Sequence, residues 1–157
     1  MTEFHKPTND TLLPILKMEL TPAQTDAKLV APNAVTLAQA AYYPPSEVWG
    51  IWEGETPVGL VALVDGSHPE ADLEEGDDPN ALLLWRLFID KTHQGKGHGT
   101  KALEFVTDLA RKKGLPKVYT SAVQHEFSAR PLYERFGFKP TGRVIDGDED
   151  ELVYSVT

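Results

Sequence analysis

The sequence predicts a mixed α/β fold, in which one mixed sheet has helices on its faces. Several apolar runs have the length and β-branched content of strands. One long segment has apolar residues at helical spacing, which predicts a helix between strands. The expected elements do not alternate simply between strand and helix, and this order indicates a mixed sheet.

Length and composition narrow the class of protein. A chain of 157 residues is long enough for one domain, which we expect to span residues 1–157. Because the chain contains no cysteine, disulfides, a thiol nucleophile, iron–sulfur ligation and cysteine-rich zinc sites are excluded, and we expect no metal. A formal net charge of −9 repels phosphate backbones, so we expect no nucleic-acid partner.

Hydropathy argues against a membrane partner. The longest apolar runs, Val58–Val64 and Ala81–Trp85, are far shorter than the roughly 20 residues that a membrane span needs. The polar opening MTEFHKPTND does not resemble a signal peptide. We therefore expect a cytoplasmic protein.

Three elements are expected at the start of the chain. Alternation predicts a first strand in Thr11–Leu20, with Pro14 confining it to a sheet edge or delaying its start. Thr21 followed by proline is an N-cap pattern, which predicts a short helix through about Lys28. A second short helix is expected over Ala34–Ala41, after the Pro32-Asn33 turn, and it ends there because the two prolines that follow disfavour helix in the residues before them.

The middle of the chain contains the strongest patterns. Glu47–Gly54 and Pro57–Asp65 predict a strand hairpin, and the acidic segment Gly66–Asn80 predicts a solvated loop. Ala81–Asp90 is almost continuously apolar, as expected for a central strand covered on both faces. Apolar residues at helical spacing predict a long helix over Gly97–Lys113.

The remaining segments predict three strands and one helix. Lys117–Val123 is expected to be a strand, and Glu126–Arg135 a short helix. A further strand begins at Phe138 and leads to an acidic turn over Asp146–Glu151. The last strand is expected over Leu152–Val156.

Gly95, Gly97 and Gly99 occupy the short turn between the central strand and the long helix. Glycine permits positive φ and lets the backbone come close to a ligand. The helix that follows presents unpaired N–H groups at the positive end of its dipole, and this combination binds phosphate. The spacing fits neither a Walker loop nor a dinucleotide fingerprint. The alternative is a tight turn without a ligand.

Positive charge is concentrated near the same turn. Between Lys91 and Lys117 there are seven lysines and arginines and only two acids. Arg111–Lys113 complement the C-terminal end of the helix dipole, but Lys96 and Lys101 do not. The local excess favours a polyanionic cofactor along the turn and the helix.

The pattern Gln94-x-x-Gly97-x-Gly99 resembles the acetyl-CoA site of the GNAT superfamily of N-acetyltransferases. Downstream, Ala129–Phe138 is similar to the A-x-x-L-Y-x-x-x-G-F segment of that family. The resemblance covers about residues 13–155. It implies a largely antiparallel twisted sheet, acetyl-CoA as cosubstrate, and direct acetyl transfer to a primary amine without a covalent enzyme intermediate.

The resemblance also implies the roles of particular residues. Backbone groups of the central strand pair with the pantetheine arm as an added strand would, and the Ile89 N–H polarises the thioester carbonyl. Tyr133 matches the family tyrosine that protonates the departing thiolate; the alternative is a packing aromatic beside Phe136 and Phe138. The residues implied to bind the cofactor are Leu87, Phe88, Ile89, Gln94, Gly95, Lys96, Gly97, His98, Gly99 and Thr100.

The acceptor follows from a narrower resemblance. Trp85–Asp90 with the glycine turn is similar to bacterial spermine/spermidine-type acetyltransferases, which implies a polyamine acceptor and, as relatives are commonly dimers, a homodimer. The six acids of Glu70–Asp78 could attract a polyamine by steering or could simply be a solvated loop. Other acceptors are an amino acid, a peptide N-terminus or an aminoglycoside. The non-enzymatic alternative is a CoA-binding regulatory module.

The sequence leaves the general base open. Relatives often have Asn at the position of Glu126, and some have an acidic base where Trp85 stands. An alkylammonium group must lose a proton before it attacks a thioester, so a base is required. The candidates are Glu126, His125, an acid of the Glu70–Asp78 loop acting through water, and water itself.

Overall fold

A computed structural model describes all residues from 1 to 157. It contains five helices and one seven-stranded sheet with strand order β1-β2-β3-β4-β5-β7-β6. In chain order, the elements are β1 (Thr2–His5), α1 (Leu12–Leu16), α2 (Pro22–Asp26), α3 (Asn33–Ala41), β2 (Ser46–Glu53), β3 (Thr56–Asp65), β4 (Ala81–Ile89), α4 (His98–Lys112), β5 (Lys117–Val123), α5 (Arg130–Phe136), β6 (Lys139–Ile145) and β7 (Glu149–Ser155).

The sheet consists of two antiparallel parts with one parallel contact between them. Strands β1 to β4 pair antiparallel, and so do β5, β7 and β6. The parallel contact joins Ala81–Leu83 of β4 to Lys117–Tyr119 of β5. Beyond it the two strands no longer pair with each other, although β4 continues to Ile89 and β5 to Val123. The two strands therefore diverge and leave a gap in the sheet.

Helices cover both faces of the sheet, as the sequence predicts. On one face α4 buries Leu103, Val106 and Ala110 in a core that includes β4 and β5 residues. On the other face Ile15 of α1 packs in a smaller cluster with Phe88. Burial of this kind contributes about 25 cal/mol per Å² of apolar surface and is the main term that holds the helices on the sheet.

The two tryptophans of β2, Trp49 and Trp52, lie on different faces of the sheet, as odd spacing along a strand favours. Trp49 packs against Phe105 of α4, with ring centroids 5.1 Å apart. Trp52 belongs to the smaller cluster with Ile15 on the opposite face. Both side chains therefore fill the core and neither lines the cleft described below.

The predicted strand over Thr11–Leu20 is wrong. Leu12–Leu16 forms helix α1, and Ile15 and Met18 are buried three residues apart, as a helical face requires. The polar opening supplies the edge strand instead, because Thr2–His5 pairs with β2. Phe4 is the one large apolar residue of this strand, and its ring stacks on Phe105 of α4 at 4.2 Å. A strand this short shows too little alternation to be identified from sequence.

The short helix α2 begins as its sequence predicts. Thr21 accepts a hydrogen bond from the Gln24 N–H, and the Gln24 side chain accepts one from the Thr21 N–H, which forms a capping box. The predicted hairpin, the acidic loop, β4, α3 and α4 are also present, within one or two residues of the expected bounds. No helix in the chain has the length and apolarity needed to cross a membrane.

Two boundaries near the C-terminus differ from expectation. Helix α5 begins at Arg130 rather than Glu126, because Pro131 occupies its first turn and lacks a backbone N–H. Strand β7 begins at Glu149 rather than Leu152. Half of the expected acidic turn is therefore strand, hydrogen-bonded to β5 from Val123↔Glu149 onward.

Candidate active site

The gap between β4 and β5 opens into a cleft with a volume of about 860 Å³. One wall is the end of β4, and the opposite wall is formed by β5 and α5. The glycine turn before α4 also borders this cleft. The α2–α3 connection and the β6–β7 turn also line it. The divergence of two strands thus produces a long site that several elements share.

The free edge of β4 presents main-chain groups to the cleft. The Asp90 N–H donates to the Val58 carbonyl oxygen at 2.8 Å, so it points towards β3. Because backbone groups alternate along a strand, the N–H groups of Leu87 and Ile89 point away from β3, towards the gap. An extended ligand can pair with such an edge as an added strand does.

Phe88 differs from its two neighbours. Its side chain is buried with Ile15 on the far face of the sheet, and it does not line the cleft. By the same alternation its N–H and carbonyl point to β3. Of the three residues that the resemblance assigns to the pantetheine arm, Leu87 and Ile89 line the cleft.

A bulge in the β3–β4 pairing lies beside this edge. Ala62 pairs with Arg86 and Leu63 with Leu84, so Trp85 has no direct partner on β3. A bulge re-aims the side chains around it, and Trp85 lines the cleft. The Arg86 guanidinium stacks on the Trp85 ring at 4.4 Å and donates to Gln39 Oε1 at 2.6 Å. These contacts fix the bulge to α3.

The glycine turn has the backbone geometry of an anion site. Gly95 and Gly97 have φ of +75° and +88°, and a Cβ at either residue would meet no atom within 4 Å. Gly97 is the N-cap of α4, and the first turn of this helix contains no acid. The amides of His98–Thr100 precede the first intrahelical bond, from Lys101 N–H to the Gly97 carbonyl, and remain available to a ligand.

Gly99 has a different structural role. A Cβ on this residue would lie 2.7 Å from Leu132 Cδ2. The missing side chain lets the first turn of α4 approach α5, which contains Tyr133. Gly99 therefore sets the distance between two walls of the cleft, in addition to lining it.

The Gln94 side chain braces the turn. Its Nε2 donates to the Ile89 carbonyl oxygen at 3.0 Å and to Gln24 Oε1 at 2.8 Å. These bonds tie the glycine turn to the end of β4 and to α2. The Ile89 carbonyl is thereby occupied, whereas its N–H stays free. Lys96 is exposed and does not line the cleft.

The His98 side chain is anchored away from the cleft opening. It is buried, and its Nδ1 lies 3.0 Å from Thr2 Oγ1 and 4.0 Å from Glu53 Oε2. Burial lowers the pKa of His98 from its ordinary value, against the opposing effect of Glu53. The ring joins α4 to β1, so the amide is the group that faces a ligand.

Tyr133 both packs in the core and lines the cleft. Its side chain is 5% exposed, and its ring centroid lies 5.7 Å from that of Phe138. Burial, with the charge of Glu149 adding to it and Thr120 opposing it, raises the pKa of Tyr133 to about 12. The hydroxyl is therefore a proton donor throughout the physiological range.

The side chains that the sequence offered as general bases do not line this cleft. Glu126 and His125 border a separate shallow depression beside α5. The acidic loop is held to the β6–β7 hairpin, where Arg143 donates to Asp77 Oδ1 at 2.7 Å and to the Glu75 carbonyl at 3.0 Å. This loop is thus partly neutralised by Arg143 at a distance from the cleft.

Three other acids do line it: Asp146 and Asp148 of the β6–β7 turn and Glu149 of β7. Burial raises the pKa of Glu149 from its ordinary value, with Asp146 and Asp148 adding and the Ser121 hydroxyl opposing. Sequence reasoning missed this group because it treated the whole segment as a solvated turn. The sequence EDELVYS does not alternate between polar and apolar residues, so it offers no local signal for this residue.

Comparison with known proteins agrees with this geometry. The family model described as the acetyltransferase (GNAT) family matches residues 13–138. A spermine/spermidine N(1)-acetyltransferase of Bacillus subtilis (strain 168) is 31% identical over 150 residues, which cover 93% of each chain. A probable spermine N(1)-acetyltransferase of Bacillus subtilis subsp. natto (strain BEST195) is 31% identical over the same share of each chain.

Solved structures show the same architecture. The PaiA N-acetyltransferase of Thermoplasma acidophilum, in complex with coenzyme A, superposes with a TM-score of 0.69 over 99% of both chains. Ard1 of Thermoplasma volcanium superposes with a TM-score of 0.70 over 99% of this chain and 98% of that one. Sequence identities of 15% and 14% make these likenesses of fold. The predicted mixed, largely antiparallel sheet with helices on both faces is confirmed.

Proposed function

The chain belongs to the GNAT family of acetyltransferases, and from this premise we propose that it transfers the acetyl group of acetyl-CoA to a primary amine of a polyamine such as spermidine or spermine. The observation on which this depends is a free strand edge that runs into an anion-binding turn. That combination matches a thioester joined through an extended arm to a pyrophosphate.

The cleft residues suit acetyl-CoA from end to end. The free amides of His98–Thr100 and the open backbone of the glycine turn suit the pyrophosphate. The N–H groups of Leu87 and Ile89 suit the amide-containing pantetheine arm. Bound there, acetyl-CoA supplies an activated acyl group, and the Ile89 N–H donates to the carbonyl oxygen as negative charge develops on it.

Tyr133 is the proposed general acid. Its hydroxyl stays protonated because burial raises its pKa to about 12, so it can give a proton to the departing CoA sulfur. A thiol has an ordinary pKa of about 8.5, which makes the phenol the weaker acid of the two. Transfer therefore requires direct contact with sulfur while the carbon–sulfur bond breaks.

A polyamine acceptor has two kinds of support. The relatives that cover 93% of this chain bear spermine or spermine/spermidine names. Asp146, Asp148 and Glu149 contribute three negative charges to the cleft lining, which attract a substrate with several ammonium groups. An amino acid has a carboxylate that these three acids would repel.

An acceptor screen tests this proposal. Each amine is incubated with the protein and acetyl-CoA, and release of the CoA thiol is followed for spermidine, spermine, a free amino acid, a peptide with a free N-terminus and an aminoglycoside. We expect kcat/KM to be largest for spermidine or spermine, and to fall as salt screens the acids. A clear preference for the amino acid or the peptide contradicts the polyamine assignment and leaves the acetyltransferase in place.

A further inference from the structure

We propose that Glu149 is the general base that removes a proton from the acceptor ammonium group. This inference rests on the proposed function, because it names the residue that makes the amine a nucleophile. Three features of Glu149 support it: the position of its carboxylate at the cleft, its lack of a cationic partner, and its position relative to Tyr133.

Strand β7 begins with three successive acids, Glu149, Asp150 and Glu151, and only Glu149 has no ion-pair partner. Asp150 forms an ion pair with Arg130, and Glu151 forms one with Arg143 at 3.0 Å. No lysine or arginine nitrogen lies within 4 Å of Glu149, whose one side-chain partner across the sheet is the Ser121 hydroxyl, 3.2 Å from Oε1. Its charge is therefore not already neutralised, as those of its neighbours are.

Strand geometry explains why the same acid reaches the cleft. Leu152 is buried beneath α4, so by alternation Glu149 and Glu151 lie on the other face of the sheet. Glu149 is opposite Val123, at the end of β5 that has parted from β4. Glu151 lies two residues further along, and it does not line the cleft. The carboxylate of Glu149 thus stands at the edge of the gap.

Tyr133 reaches the same gap from the other side. It belongs to α5 and packs in the core on the α4 face with Ala122, whereas Glu149 is on the face opposite to that core. The charge of Glu149 acts on Tyr133 across the opening, since it contributes to the raised pKa of Tyr133. The gap therefore has a proton donor on one side and a proton acceptor on the other, as separate acid and base roles require.

The surroundings make the Glu149 carboxylate a stronger base than a solvated one. The side chain is half-buried, and the charged groups nearest to it on the β6–β7 turn, Asp146 and Asp148, are both negative. Burial and these two charges raise its pKa towards the range in which a general base works well. The lysine and arginines that line the cleft, Lys28, Arg86 and Arg135, form no ion pair with it.

The protons and electrons of this step balance. One proton of the R–NH₃⁺ group passes to Glu149, and the freed nitrogen lone pair forms the carbon–nitrogen bond. The carbon–sulfur bond breaks, and the sulfur takes the proton of Tyr133. The new amide nitrogen gives up its second proton, which restores Tyr133 through solvent, and Glu149 releases its proton to water. The products are an N-acetylated amine, CoA thiol and one proton.

The test compares Glu149→Gln with Glu151→Gln, which changes the acid two residues along the same face. With spermidine and acetyl-CoA, we expect kcat of Glu149→Gln to fall about 100-fold near pH 7. The loss should shrink as pH approaches the pKa of the amine, because free amine then needs no base. Glu151→Gln should stay within about twofold of wild type, and Glu149→Asp should recover part of the rate.

Calorimetric titration with CoA serves as the control for folding, and all three variants should bind it as wild type does. The proposal is overturned if Glu149→Gln keeps the wild-type rate and pH profile. It is also overturned if KM for spermidine rises at every pH while kcat is unchanged, since the carboxylate then only binds the amine. Absence of wild-type turnover on every amine in the acceptor screen instead overturns the proposed function, and with it this role.

Discussion

Two parts of the cleft lining are built in different ways. In the first part, which we call the cofactor end, the available groups belong to the main chain, namely the β4 edge and the amides after Gly97. In the second part, which we call the acceptor end, they are side chains, above all those of Asp148 and Glu149. The positions of main-chain groups are fixed by the backbone conformation, so the cofactor end keeps its specificity for one cofactor. Side chains can vary without altering the fold, so the acceptor end is where specificity can change.

The largest expected effect comes from the residue between the two ends. Tyr133→Phe removes the proposed proton donor, so we expect kcat to fall about 100-fold or more. Acetyl-CoA affinity should be nearly unchanged, because the cofactor end keeps its backbone contacts. Steady-state kinetics together with calorimetry separates the two quantities. Wild-type turnover by the variant contradicts the role of Tyr133.

Next in size is a change to the backbone of the anion site. Gly97→Ala forces a side chain into left-handed φ, which costs about 1–2 kcal/mol, and places a Cβ where the pyrophosphate would lie. We expect CoA affinity to fall about tenfold or more, a loss of about 1.4 kcal/mol or more. The measurement is a calorimetric titration of the folded variant.

Gly114→Ala is its matched control. Gly114 follows the other end of α4, has φ of +72°, and its Cβ would also meet no atom within 4 Å. Both variants should lose similar unfolding free energy, but only Gly97→Ala should lose CoA affinity. Equal CoA binding by the two variants means that the glycine turn does not hold the pyrophosphate.

A smaller effect is expected at the acceptor end. Asp148→Asn removes one negative charge from the cleft lining without touching the β4 edge. We expect KM for spermine to rise several-fold at low salt, and the difference to shrink at high salt because exposed charges are screened. KM for acetyl-CoA should not move. If KM changes only for acetyl-CoA, Asp148 belongs to the cofactor end and the division proposed here is contradicted.

The smallest effect is on stability. The raised pKa of Glu149 means that the folded state binds this proton more tightly than the unfolded chain, so stability is lost as pH rises through that pKa. Glu149→Gln lacks this cost. Its Tm should exceed that of wild type by about 1–2 °C at pH 7 and match it near pH 4. A Tm difference that is independent of pH shows that ionisation of Glu149 is not the cause.

The elements that could be predicted from sequence are those with local signals. The glycine turn and α4 were identified because their signals are local: positive-φ glycines, and apolar residues such as Leu103 and Val106 at helical spacing. Strand β1 was missed because Thr2–His5 becomes a strand through its pairing with β2. Pairing is a long-range property that a four-residue segment does not reveal.

Glu149 was not predicted as a site residue for the same reason. Glu149 belongs to the cleft because β7 begins at that residue and pairs with β5. In sequence Glu149 is one of five acids in Asp146–Glu151, and composition alone indicates a solvated turn. Phe88 shows the same limit, since which backbone groups face the gap depends on the β3–β4 register. The register of strand pairing decides which groups face the cleft, and local composition does not reveal that register.

The most direct test of the central claim is a crystal structure of the protein with CoA bound. The account predicts that the pantetheine arm lies along β4, with hydrogen bonds to main-chain groups of Leu87 and Ile89, and that the pyrophosphate lies on the amides of His98–Thr100. A CoA molecule bound away from the gap between β4 and β5, or a protein that does not bind CoA at millimolar concentration, would contradict it.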